Sequence, residues 1–131
     1  MSKFLVTVQK IQRDESLHLV SFQSKKHRYQ MISLTLEKEV EEGVQLYLET
    51  KATSVAVAKS FEGDLSCSNQ LQGRIVALES SKLLTHITID IDDSIIESII
   101  TSESAKQMQL QVDDRVTALI KSSDLSIGEI L

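Results

Sequence analysis

Three short stretches in the second half of this 131-residue chain are rich in groups that donate hydrogen bonds to anions. They are Ser66-Cys-Ser-Asn-Gln70, Thr101-Ser-Glu-Ser104 and Lys121-Ser-Ser123. An oxyanion that carries no proton at neutral pH can only accept hydrogen bonds, so a site for it must be made of donors. Hydroxyls and free backbone N–H groups at a helix start meet that need. A lysine adds a compact positive charge. Within these stretches only Glu103 has the wrong sign, and it must point away. Ser and Thr at strand ends and helix starts also cap the backbone as a matter of course, so residue type alone leaves both readings open.

Other chemistry is weaker. His18, His27 and His86 have no Cys or second His at metal-ligand spacing, and no metal cation site is expected. Cys67 has no nearby His to activate it and reads as a buried or interfacial thiol. Asp90, Asp92 and Asp93 form an acidic turn that reads as a solvated hairpin rather than a paired-carboxylate or magnesium site. Lys25-Lys-His-Arg28 is a basic turn between two strands and reads as a hairpin tip. No G-x-x-x-x-G-K-[ST] loop is present, so the chain is not itself an ATPase. Nothing in the residues makes a case for an enzyme.

The elements that must position the donor stretches are strands. Apolar residues alternate over Phe4–Ile11, Leu17–Phe22, Tyr29–Leu36, Val44–Glu49 and Val55–Lys59. The pattern returns over Leu71–Leu78, Ile87–Ile91, Ile95–Ile100, Val116–Ile120 and Leu125–Ile127, with a turn at Asp92-Asp93-Ser94. Thr101–Leu110 reads as a short helix capped by Thr101 or Ser102, with Ala105, Met108 and Leu110 as core contacts. The two halves overlay at an offset of about 67 to 70 residues, which makes the chain an internal repeat. In the first copy the charged turn Glu37–Gly43 replaces the helix. Five short strands per unit, with a helix between the third and fourth, is the arrangement of an OB barrel. The expected fold is therefore all-β, with two tandem OB-like five-stranded barrels and one short helix in the second copy. The boundary falls between a first unit at residues 1–62 and a second at 63–131. Units this small gain from docking or from oligomerisation.

Composition narrows the function classes. The net charge is −5, and all of it lies in residues 66–131, where five basic side chains face ten acidic ones. Aromatics make up 4% of the chain. Both weigh against nucleic-acid binding, which relies on cations and stacking platforms. No apolar run approaches the roughly 20 residues of a membrane helix, so no membrane insertion is expected. No export signal is visible at the N-terminus, and a single Cys fits a reducing compartment; the expected location is cytoplasmic.

The order Ser66-Cys-Ser-Asn-Gln-Leu-Gln-Gly-Arg-Ile, then Ile100-Thr-Ser-Glu-Ser, then Val116-Thr-Ala-Leu-Ile-Lys-Ser-Ser-Asp-Leu-Ser-Ile127 resembles the Mop, or TOBE, domain of molbindins. That family's pattern runs S-x-R-N-Q-L-x-G, T-N-E-S and V-x-A-x-I-K-A-S-x-V. In the first copy Leu48-Glu-Thr-Lys-Ala-Thr-Ser-Val55 resembles the last segment only. The resemblance implies molybdate or tungstate as the bound oxyanion, held between protomers of a homo-oligomer, with trimers for tandem members. It implies storage, homeostasis or sensing of the anion, and as partners a molybdate transporter ATPase or a regulator. By motif match, Ser66, Cys67 and Ser68 lie on the first anion-holding segment, Thr101 and Ser104 on the second, and Lys121 and Ser122 on the third. Lys51 and Ala52 are the first-copy counterparts of the third.

The departures are specific. Ser68 stands where the family has arginine, which removes a fixed cation and up to five donors. Ser102 stands where asparagine is usual, and the first copy has neither of the first two segments. An alternative reading follows: an interaction module that docks on a transporter ATPase or transcription regulator without binding oxyanion itself.

Overall fold

The computed structural model describes residues 1–91 and 94–131. Among these, ten strands follow in order: β1 (Ser2–Asp14), β2 (Leu17–Gln23), β3 (Arg28–Ser33), β4 (Gln45–Thr50), β5 (Ala56–Ala58), β6 (Asn69–Ser80), β7 (Leu84–Ile91), β8 (Ser94–Thr101), β9 (Arg115–Ile120) and β10 (Ser126–Ile130). The helix α1 (Ser102–Gln107) separates β8 from β9, and one-turn 3-10 helices at Ala52–Ser54 and Ser122–Asp124 precede β5 and β10. Every alternating segment thus forms a strand. Of the acidic turn expected at 92–94, Asp92 and Asp93 lie outside the described residues, and Ser94 opens β8.

Alternation sets which face is buried. Ser2, Phe4, Val6 and Val8 of β1 point inward, as do Thr85, Ile87, Ile89 and Ile91 of β7. The apolar ones among them join one continuous core that runs through both halves. The repeat persists in its irregularities: a bulge interrupts β1–β2 pairing between Val8 and Lys10, and another interrupts β6–β7 pairing between Ile75 and Ala77, 67 residues later. Such bulges sharpen the local bend and help a sheet to curl.

The two sheets do not coincide with the two sequence halves. Their strand orders are β10-β4-β1-β2-β3 and β5-β9-β6-β7-β8. Each half therefore gives its last strand to the other: β5 pairs with β9, and β10 pairs with β4. The 3-10 turns carry the chain across, and the residue after each turn, Val55 or Leu125, is buried in the shared core. The second sheet curls until β8 meets β5 and the Ala52–Ser54 turn, and the first until β3 meets the Ser122–Asp124 turn. The result is two OB-like barrels locked together by exchanged strands.

Polar contacts inside the joint follow the same repeat. Asn69 is fully buried. Its carbonyl oxygen accepts from the Gln30 N–H (2.8 Å), and its amide donates to the carbonyls of Gln30 (2.9 Å) and Ile120 (3.0 Å). Sixty-seven residues earlier stands Ser2, whose hydroxyl accepts from the N–H of Glu97, the counterpart of Gln30 (2.8 Å). Thr50 donates to the Asp124 carbonyl (3.0 Å) and Ser98 to the Val55 carbonyl (2.6 Å), so each exchanged segment is pinned from the other half.

The helix is shorter than its sequence pattern predicts. Thr101 is the N-cap, accepting from the Ser104 N–H (3.2 Å), but the helix stops at Gln107. Gln109 is left-handed (φ 52°), which ends the spiral. Lys59 from the first half then donates to the exposed carbonyls of Met108 (3.3 Å) and Gln109 (3.1 Å) and pairs with Asp114 (3.1 Å). The buried residue of α1 is Ser102, which donates to the Ser81 carbonyl (2.9 Å); Leu110 packs on the core, while Met108 is half-buried.

Two tests follow from this joint. Asn69→Ala leaves the buried Ile120 carbonyl and both half-buried backbone groups of Gln30 without this partner, so unfolding in urea should show a loss of about 2–3 kcal/mol. Asp114 has its carboxyl held below the ordinary 3.8, first by the Gln111 N–H and then by Lys59. A carboxyl depressed in the folded state adds stability that is full above its ordinary pKa and is lost as pH falls through its folded value. Stability should therefore drop below about pH 4, and Asp114→Asn should remove that part of the drop in urea titrations at several pH values.

Candidate oxyanion site

The segment ahead of β6 and the turn after β9 are brought together because Asn69 and Ile120 are register partners. The residues that precede Asn69 and those that follow Ile120 therefore leave the same end of the second sheet. Ser66, Cys67, Lys121 and Ser122 line one cavity of about 540 Å³ there. Ser66 and Lys121 are exposed, and Cys67 and Ser122 are half-buried. Lys121 sits in extended conformation (φ −67°, ψ 149°) at the start of the 3-10 turn, and its carbonyl accepts from the Asp124 N–H (2.9 Å).

The first half completes the walls. The exchanged segment supplies Ser54 and Ala56, and β3 supplies Ile32. Leu65 and Leu119 add further apolar surface. A donor set with apolar walls strengthens each hydrogen bond by lowering the local dielectric. Asp124 also lines the cavity and brings a carboxylate to the same site as Lys121. Sequence reasoning missed Ser54, Asp124 and the apolar walls. The offset of 70 that relates Ser54 to Asp124 was the available signal.

Ser68 is exposed and does not line the cavity. The Cys67 thiol points to the Asn69 carbonyl (3.6 Å), and the Cys67 carbonyl accepts from the Gln70 side chain (2.9 Å). These local bonds, with the buried Asn69 behind them, fix the path of the arm. Lys51 and Ala52 occupy the matching 3-10 turn of the first half, with Lys51 exposed and in the same extended conformation as Lys121 (φ −81°, ψ 144°).

Thr101 and Ser104 lie elsewhere. Thr101 pairs with Leu84, next to the hairpin at the far end of β6, where Ser80 pairs with Thr85. The arm and Lys121 sit at the Asn69 end. The strand between them has 12 residues, so the two donor groups are separated by up to about 36 Å of strand. At the far end the Thr101 hydroxyl donates to the Ser104 oxygen (2.9 Å), which leaves the Ser104 proton able to donate outward. Glu103 is exposed.

The remaining titratable candidates are dispersed. His18 is buried on β2 with Nδ1 3.3 Å from the Ser33 carbonyl, His27 is on the β2–β3 turn, and His86 on β7 is 3.5 Å from Glu97. Among the described residues no group of three or more His, Cys, Asp or Glu could hold a metal ion. No helix is long and apolar enough to cross a membrane, again among the described residues.

Known proteins share parts of this sequence and its fold. Residues 65–127 match the TOBE domain. A Haemophilus influenzae protein named "Probable molybdenum-pterin-binding protein" is 28% identical over 65 residues, covering 49% of this chain and 94% of that one. The cytoplasmic molybdate-binding protein ModG, solved with molybdate bound, superposes with a TM-score of 0.89 at 22% identity, covering 97% of this chain and 94% of its own. MopII of Clostridium pasteurianum matches 45% of this chain and 90% of its own, at 28% identity and a TM-score of 0.43. By sequence, then, residues 65–127 match the TOBE domain, and by fold the whole chain is a tandem OB-like protein similar to ModG.

Proposed function

We propose that this chain binds molybdate, or the chemically similar tungstate, at sites completed between copies of itself. The observation that carries the reading is the distribution of donors. Ser66, Cys67 through its backbone, Lys121 and Ser122 line one cavity, while at the other end of β6 Thr101 donates to Ser104, whose hydroxyl can donate outward. A tetrahedral anion spans only a few ångströms, so one chain cannot surround it with both groups. A second copy can, by setting its Thr101–Ser104 end against the first copy's cavity. The relatives named for molybdate and molybdenum-pterin support the choice of anion.

In this mechanism the Ser66, Ser122 and Ser104 hydroxyls donate to the anion, with Thr101 polarising Ser104. Lys121 offsets the charge, and Ser68 at the rim contributes through water or backbone. Lys51 and Ala52 form a reduced site on the first half. We read the repeat units as residues 1–62 and 63–131, the oligomer as a trimer, and the role as storage, homeostasis or sensing in the cytoplasm, by binding rather than catalysis. Sulfate is rejected by the size of the completed cavity.

One observation favours a second reading. With serine at position 68, the cavity has Lys121 as its cation and Asp124 as its carboxylate, and their formal charges cancel. An interaction module docking on a transporter ATPase or a regulator would need no net positive charge.

Calorimetric titration of oxyanion-free protein with molybdate, tungstate and sulfate separates the two. Micromolar or tighter binding of the first two, with no heat from sulfate, is expected; no heat from any of them would leave the docking module. Lys121→Ala should weaken binding by about 1.5–3 kcal/mol, the worth of a charge-assisted hydrogen bond. Asp124→Asn removes a neighbouring like charge and should tighten binding by about threefold or more. Unchanged affinity in both variants would mean that the anion sits elsewhere.

A further inference from the structure

A second groove, of about 620 Å³, opens where the β2–β3 tip and the link between the repeats lean over the outer face of β6 and β9. None of its lining residues lines the Lys121 cavity. Arg74 on β6 and Arg115 on β9 are register partners, so their side chains leave the same face of the sheet side by side. Like charges placed directly opposite are destabilising. They are also costly to find here, because residues 66–131 hold five basic side chains against ten acidic ones, and two of the five form this one pair. Among the described residues, neither arginine makes an ion pair or a side-chain hydrogen bond.

The repeat supplies a control. The equivalent row in the first half is Gln45, Thr7 and Gln23, which are register partners in the same way and carry no charge. In the second half the row reads Arg115, Arg74 and Asp90. The barrel therefore does not need cations at these positions. The row beside it pairs Gln72 with Thr117, both neutral hydrogen-bonding groups facing the groove. Phe61, 41% exposed, gives the groove an apolar wall, and Asp90 lines it beside the two arginines.

We propose that this groove binds a phosphorylated small molecule, its phosphate bridging Arg74 and Arg115 and its ring lying against Phe61. Two guanidinium forks offer up to ten N–H donors, and their planar geometry matches phosphate oxygens in pairs. An aromatic body on Phe61 would gain contact that a bare anion cannot. Gln72 and Thr117 would meet its polar edge.

The test uses the full-length protein, with pyrophosphate, adenosine monophosphate and adenosine as probes, followed by calorimetry and by amide chemical shifts. Both phosphates should bind and adenosine should bind at least tenfold more weakly. Arg74→Gln combined with Arg115→Gln should weaken both phosphates tenfold or more while leaving molybdate affinity unchanged. Arg115→Lys, which keeps the charge and loses the fork, should fall between. Phe61→Ala should weaken the nucleotide and spare pyrophosphate. Both arginines are exposed, and unchanged thermal melting would show that the variants fold. The proposal is overturned if neither phosphate moves the groove resonances at millimolar concentration. It is overturned equally if the arginine variants bind as well as the parent protein, or if Lys121→Ala abolishes phosphate binding, which would put the phosphate in the other cavity.

Discussion

The molecule depends on one buried side-chain amide. Asn69 stands at the entry to the long β6 strand, out of reach of water, and joins three elements. Its bonds to both backbone groups of Gln30 hold the second barrel to an edge strand of the first, and its bond to Ile120 holds the strand that leads to Lys121. A buried amide is tolerable only when satisfied, and satisfaction here requires both halves in place at once. The same side chain therefore couples the joint between barrels to the geometry of the cavity. Ser2 repeats the arrangement with one accepted bond where Asn69 makes three, so the pseudo-twofold joint is stronger on one side than on the other.

Strand exchange extends this coupling. Because β5 belongs to the second sheet, Ser54 and Ala56 from the first half become walls of a cavity whose donors come from the second. The first half carries few of the donors found in the second, yet it shapes the cavity that those donors line. Its reduced turn at Lys51 and Ala52 retains the backbone path of Lys121 and Ser122.

The strands were legible in sequence because alternation is a local property, and each of the ten segments carries it in its own residues. The partner of a strand is not local. Val55–Lys59 and Leu125–Ile127 read the same whether each closes its own barrel or its neighbour's, so the exchange was invisible. The end of α1 was misjudged because Gln109 turns left-handed and Lys59, 50 residues away, takes its carbonyls. At the candidate site, Ser66 and Cys67 of the first donor stretch line the same cavity as Lys121 and Ser122 of the third. Asn69 read as one more polar group in a donor stretch, whereas burial turns it into an anchor. The distance of Thr101 and Ser104 from that cavity follows from the length of β6, which alternation underestimated at both ends.

Exchange of the last strands also sets the order in which the chain can be made. The open edge of β4 in the first sheet is covered by Ser126–Ile130, at the end of the described chain. While the ribosome is still adding the second repeat, the first therefore has a sheet with an unpaired edge, a surface that templates unwanted pairing. The second sheet has all its strands once β9 has been made, whereas the first still waits for β10, so the sheet begun first is the one closed last.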